Sequence, residues 1–123
     1  MDLIYKDESY KIIGAAMNVR RHFGYGFSEK VYQDALEVEF KKCGIPYKRE
    51  FPLHATYEGV VLATEFVPDF ICYDKIIVEL KALKEIEDWC RAQTFNYTRI
   101  AGYKLGLLIN FGHLSLEYER LLI

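Results

Sequence analysis

Phe66-Val67-Pro68-Asp69-Phe70-Ile71-Cys72-Tyr73-Asp74-Lys75-Ile76-Ile77-Val78-Glu79-Leu80-Lys81 reads as two β-strands around a tight turn near Asp74. β-Branched and aromatic residues fill both arms, and the turn-prone residue lies in the middle. Even-numbered positions are apolar on each arm: Phe66, Phe70 and Cys72, then Ile76, Val78 and Leu80. Side chains alternate faces along a strand, so a hairpin that gathers these on one face pairs residues whose numbers sum to an even value. Pairing Cys72 with Ile76 satisfies this around a three-residue turn. Asp69 then falls directly opposite Glu79, with Cβ atoms about 5 Å apart. Lys81 follows on the same face. The hydrophobic pattern alone brings two carboxylates and an ammonium together.

Like charges directly opposite one another destabilise a hairpin. Val67, Ile71 and Ile77 make the acidic face partly apolar, and a half-buried acid pair is costly unless a cation compensates it. One reading is a divalent metal site with an adjacent lysine. The other is a solvated polar face on which Lys81 pairs with Glu79. Pattern alone leaves both open.

At 123 residues the chain, 1–123, is expected to form one domain with a single core. Hydrophobic residues make up 51%, with ten Tyr, eight Phe and one Trp, which excludes a disordered chain. Sixteen basic residues against eighteen acidic ones give a net charge of −2, so any nucleic-acid contact needs a local basic patch. Cys43, Cys72 and Cys90 are odd in number and lack zinc or disulfide-framework spacing; buried, reduced thiols are expected. His22, His54 and His113 form no motif. No apolar run approaches the ~20 residues of a membrane span, and the N-terminus lacks a signal-peptide pattern. A soluble, cytoplasmic protein without membrane association is expected.

A first helix is predicted over Asp7 to Phe23, capped by Asp7 or Ser9, with Arg20, Arg21 and His22 suiting the dipole of its last turn. Gly24-Tyr25-Gly26 stops it, although two glycines around an aromatic also fit a phosphate-approaching loop. Ser28 caps a second helix to Cys43, buried through Val31, Tyr32, Ala35, Leu36, Val38, Phe40 and Cys43. Glu29 in its first turn complements the helix dipole. Tyr47 to Tyr57 reads as a strand that Pro52 places at an edge or a bulge, and Glu58-Gly59 turns the chain. The strand from Val60 continues into the opening stretch, giving a three-stranded antiparallel meander with a bulge beside Asp69. A third helix is predicted over Glu85 to Lys104, with Trp89, Cys90 and Phe95 among its packing residues. Leu105 to Phe111 reads as a central strand covered on both faces, and Leu116 to Ile123 as a last one.

Pro68-Asp69, nine intervening residues and Glu79-Leu80-Lys81 resemble the signature of the PD-(D/E)XK nuclease superfamily. Gly26-Phe27-Ser28-Glu29-Lys30-Val31-Tyr32 looks like the motif naming the GxxExxY protein family. Gln93-Thr94-Phe95-Asn96-Tyr97 looks like the QxxxY motif of RecB-type nucleases. The resemblance runs from about Ile12 to Leu122 and implies an α/β fold: a restriction-endonuclease-like αβββαβ core, its mixed central sheet flanked by helices.

It also implies roles. Asp69, Glu79 and the carbonyl of Leu80 would hold Mg²⁺ (or Mn²⁺), a hard ion suited to oxygen ligands, and Glu29 would close the site directly or through water. Lys81 would orient or deprotonate the attacking water and offset charge on the phosphate. Gln93 and Tyr97 would position Lys81 or touch the substrate backbone; without the resemblance they read as an ordinary helix face. Lys84, with Arg91, Arg99 and Lys104, could meet phosphates. Lys41-Lys42 and Lys48-Arg49 read as solvated surface. Three cysteines at these spacings give no iron–sulfur cluster.

The expected activity is metal-dependent hydrolysis of phosphodiester bonds in nucleic acid, with DNA the first substrate to consider. A homodimer is compatible with it, since duplex cleavage takes two sites. The alternatives are a catalytically silent nuclease-fold module that binds or regulates within a larger assembly, and an α/β interaction protein with a fortuitous motif.

Overall fold

The computed structural model describes residues 3–123. Two helices come first, α1 (Lys6–Phe23) and α2 (Glu29–Cys43). Five strands follow: β1 (Tyr47–Arg49), β2 (Leu53–Tyr57), β3 (Val60–Phe66), β4 (Phe70–Cys72) and β5 (Ile76–Lys81). Then come α3 (Asp88–Ala101), β6 (Leu105–Asn110) and β7 (Glu117–Leu122). A mixed five-stranded sheet has the order β1-β4-β5-β6-β7, parallel only between β5 and β6. The succession α2, β1, β4, β5, α3, β6 supplies the αβββαβ core, and α1 and β7 extend it.

The expected hairpin register holds: Cys72 pairs with Ile76 and Phe70 with Val78. Phe70, Cys72, Ile76, Val78 and Leu80 therefore share one face. They form the main core with Leu105, Leu107 and Ile109 of β6 and with Ile12, Ala16, Tyr32, Leu36 and Phe40 of α1 and α2. The opposite face carries Ile77, Glu79, Lys81 and Gly106, and α3 lies on it. Its close approach needs Gly106, where a Cβ would stand 2.5 Å from Thr98 Oγ1 and 2.9 Å from Thr94 Cγ2.

The three-stranded meander is not formed. Glu50 takes a left-handed backbone (φ 54°) and Pro52 follows, so the predicted 47–57 strand splits. Its first part, β1, pairs with β4; its second, β2, pairs with β3 in a separate two-stranded ribbon. The chain also leaves the ladder between Phe66 and Phe70, a wider break than a bulge. Phe66 thus belongs to the ribbon and meets Tyr97 edge-on at 6.1 Å rather than joining the core.

Helix ends differ as well. Tyr5, not Asp7 or Ser9, is the N-cap of α1, and Ser9 Oγ donates back to the carbonyl of Tyr5 at 2.9 Å. Ser28 does occupy the N-cap of α2, without a side-chain bond. Val38 and Cys43 are exposed, on the outer side of that helix. α3 is shorter than predicted because the segment after Lys81 is held as a loop. Asn110 accepts from Leu83 N–H (2.9 Å) and donates to Leu83 O (2.9 Å), and Gly112 packs on the backbone of Ala82 and Leu83. Gly102, left-handed at φ 75°, ends the helix. Among the described residues, no helix is long and apolar enough to cross a membrane.

Candidate active site

β4 ends one residue short of Asp69, so the last ladder pair is Phe70 with Val78. Beyond it, side chains take over the work of the missing strand. Asp69 Oδ2 accepts the backbone N–H of Leu80 at 2.7 Å, and Glu79 Oε1 accepts the backbone N–H of Asp69 at 3.1 Å. Each acid is fixed by the other's strand. A strand residue directs its N–H and C=O to the same side, so the Leu80 carbonyl also faces Asp69, past the end of β4. The two carboxylates thus meet at the end of the ladder.

Glu79 and Lys81 are buried, at 3% and 7% exposure, and Asp69 is half-buried. Burial drives the Glu79 carboxyl well above the usual carboxylate range, and the charge of Asp69 adds to this against Lys81. Asp69 is pushed up by burial too, held back chiefly by the Leu80 N–H and then by Lys81. Two acids in this setting hold their charges at a cost that a nearby cation offsets. All the available donors are hard oxygens, the set that Mg²⁺ or Mn²⁺ prefers.

Lys81 does not sit in an ion pair with either acid. Its Nζ donates to Gln93 Oε1 at 2.7 Å and lies 4.9 Å from the centre of the Trp89 ring. Gln93 Nε2 in turn donates to the Tyr97 hydroxyl at 3.4 Å. Burial and then the charge of Glu79 raise the Tyr97 pKa, which keeps the phenol protonated. Gln93 and Tyr97 are thus brought to the lysine by α3, one turn apart on the face that crosses the acid pair.

Glu29 approaches from α2, which packs the other face of the sheet. The residue is exposed, yet its carboxyl end is desolvated, and this followed by the charge of Asp69 pushes its pKa up. It stands off from the pair: among the described residues, no three His, Cys, Asp or Glu side chains close around a common point. Lys84 is exposed in the loop after Lys81, and only its carbonyl is engaged, by the His113 ring at 2.7 Å. Of the other basic candidates, Arg91 is neutralised by Glu119 (2.7 Å) and Asp88 (2.8 Å), whereas Arg99 and Lys104 are exposed.

Three residues bearing on the site are not read as such in the sequence: Gln33 is passed over, Arg49 is expected on the surface, and Trp89 is expected to pack although it is 52% exposed. Gln33 is buried one turn after Glu29 and donates to the Asp69 carbonyl at 3.4 Å. Arg49, expected on the surface, is largely covered and binds Asp34 (2.6 Å), Glu37 (2.9 Å) and Gln33 (3.2 Å), which ties α2 to β1. Trp89 is one turn before Gln93. The four-residue spacings Glu29–Gln33 and Trp89–Gln93 were the available signals.

A family model of the PD-(D/E)XK nuclease superfamily matches residues 6–121, nearly the whole chain. The chain belongs to that superfamily. No curated protein and no solved structure matches it.

Proposed function

We propose that this protein is a metal-dependent nuclease that hydrolyses phosphodiester bonds in nucleic acid, with DNA as its substrate. The observation that carries the reading is the cross-strand meeting of Asp69 and Glu79 at the end of the β4 ladder, with a buried lysine two residues further on. Membership of a nuclease superfamily supports it. Gly26, Glu29 and Tyr32, together with Gln93 and Tyr97, fit the GxxExxY and QxxxY patterns and support a reading within that branch.

Asp69, Glu79 and the Leu80 carbonyl would hold Mg²⁺ or Mn²⁺, with Glu29 reaching it through water. A divalent ion held there supplies Lewis-acid stabilisation of phosphate charge and a more acidic water. Lys81 keeps two N–H donors free after its bond to Gln93, and offers them to the attacking water and to the phosphate oxygens as they gain charge. Gln93 and Tyr97 hold that amine in place. Lys84 and Arg99, outside the acid pair, meet flanking phosphates.

The test is cleavage of single- and double-stranded DNA and RNA with Mg²⁺, Mn²⁺ or chelator. Metal-dependent cutting of DNA that disappears in Asp69→Asn and Lys81→Ala supports the proposal. Metal binding that needs Asp69 and Glu79 but brings no cutting of any substrate replaces it with a silent binding module. Absence of metal binding at these acids overturns both.

A further inference from the structure

Trp89 is half in solvent, at 52% exposure, although it is the bulkiest side chain of the protein and lies beside the most buried charges. One face of its ring is taken by the Lys81 ammonium, 4.9 Å from the ring centre. Its Nε1–H donates to Glu87 Oε2 at 2.8 Å, which fixes the ring's rotation. Trp89, Gln93 and Tyr97 stand at four-residue intervals and so form one stripe of α3 across the acid pair. At the far end of this stripe Tyr97 is covered edge-on by Phe66. At the near end the indole is oriented and half-exposed.

We propose that Trp89 is a nucleobase-stacking residue, and that it makes the site select an unpaired nucleotide next to the phosphate being cut. The inference rests on the nuclease reading, since it is the phosphate at Lys81 that brings a base within reach of the ring. A base inside a duplex has both faces occupied by its neighbours. An unpaired base has a face to give, and stacking on an aromatic side chain tolerates any sequence. Orientation by Glu87 lowers the entropy lost when the base docks. The substrate class is therefore single-stranded nucleic acid, or the frayed end or gap of a duplex.

Trp89 is the only tryptophan in the chain, so its emission reports on this one position. The experiment titrates metal-free Asp69→Asn protein with oligothymidylate and with a duplex of equal length. Occupancy is followed separately by the anisotropy of a dye on the nucleic acid. Saturable quenching by the single strand is expected, with duplex binding weaker and its quenching slight. Trp89→Ala should weaken single-strand binding about tenfold, the scale of one stacked base, and leave duplex binding unchanged. Trp89→Phe, which keeps an aromatic face and guards against a folding defect, should recover most of the loss. Full occupancy by single strands without a change in emission overturns the stacking and leaves the nuclease reading intact. Equal weakening of both substrates in Trp89→Ala does the same. Absence of binding by this variant, together with absence of cutting of every nucleic acid by the metal-loaded parent, overturns both readings.

Discussion

Asp69 and Glu79 exchange hydrogen bonds with each other's strands: Asp69 Oδ2 takes the N–H after Glu79, and Glu79 Oε1 takes the N–H of Asp69 itself. The pair is thereby locked in a buried setting that makes holding both charges costly.

That strain sets a pH dependence in the metal-free protein. Burial raises both carboxyl pKa values, so between the ordinary value of 4.5 for Glu79 and its raised one the folded state binds more protons than the unfolded state. Stability then falls as pH rises through this window. Glu79→Gln should reduce that slope and leave the metal-free variant more stable than the parent at pH 7, by about 1 kcal/mol or more, the scale of one displaced pKa unit. Urea denaturation across pH checks it. Metal affinity should rise with pH, with protons released on binding.

Lys81→Ala should lower the cleavage rate by about 10²–10⁴-fold while leaving metal affinity nearly unchanged. Gln93→Ala should give a smaller loss, confined to kcat, because it frees the amine rather than removing it. Single-turnover kinetics with a parallel metal titration separate these outcomes.

Gly106→Ala places a methyl against Thr98 Oγ1 and Thr94 Cγ2, atoms of a rigid helix flank. A stability loss of about 1–3 kcal/mol is expected. Thr98→Ala in the same chain should return part of it, a non-additivity that thermal melts of the four variants would show.

Lys84 and Arg99 are exposed cations outside the acid pair. Replacing either by Ala should weaken nucleic-acid binding evenly across sequences and reduce the salt slope by about one. Anisotropy measured over a range of salt checks it.

The hairpin register and the pairing of acids were legible because alternation fixes the face of every residue once one pair is chosen. Lys81 followed from the same alternation; spacing put Gln93 and Tyr97 on one helical face, but only the resemblance brought that face to the lysine. The separate ribbon was not legible. Glu50 has no feature that announces a left-handed backbone, and Pro52 fits an edge strand as well as a break. Arg49 misled because its partners Asp34 and Glu37 belong to a different element, and a basic dipeptide carries no sign of them. Glu29 was singled out only through the resemblance, and where it stands relative to the acids depends on α2 lying on the far side of the sheet.

The β2–β3 ribbon hydrogen-bonds only to itself, as a sheet of two strands. Its root is anchored, since Phe66 packs on Tyr97 of α3, but its tip at Glu58-Gly59 is remote from the register that sets Asp69 against Glu79. Variation has an outlet at that tip that leaves the acid pair in place.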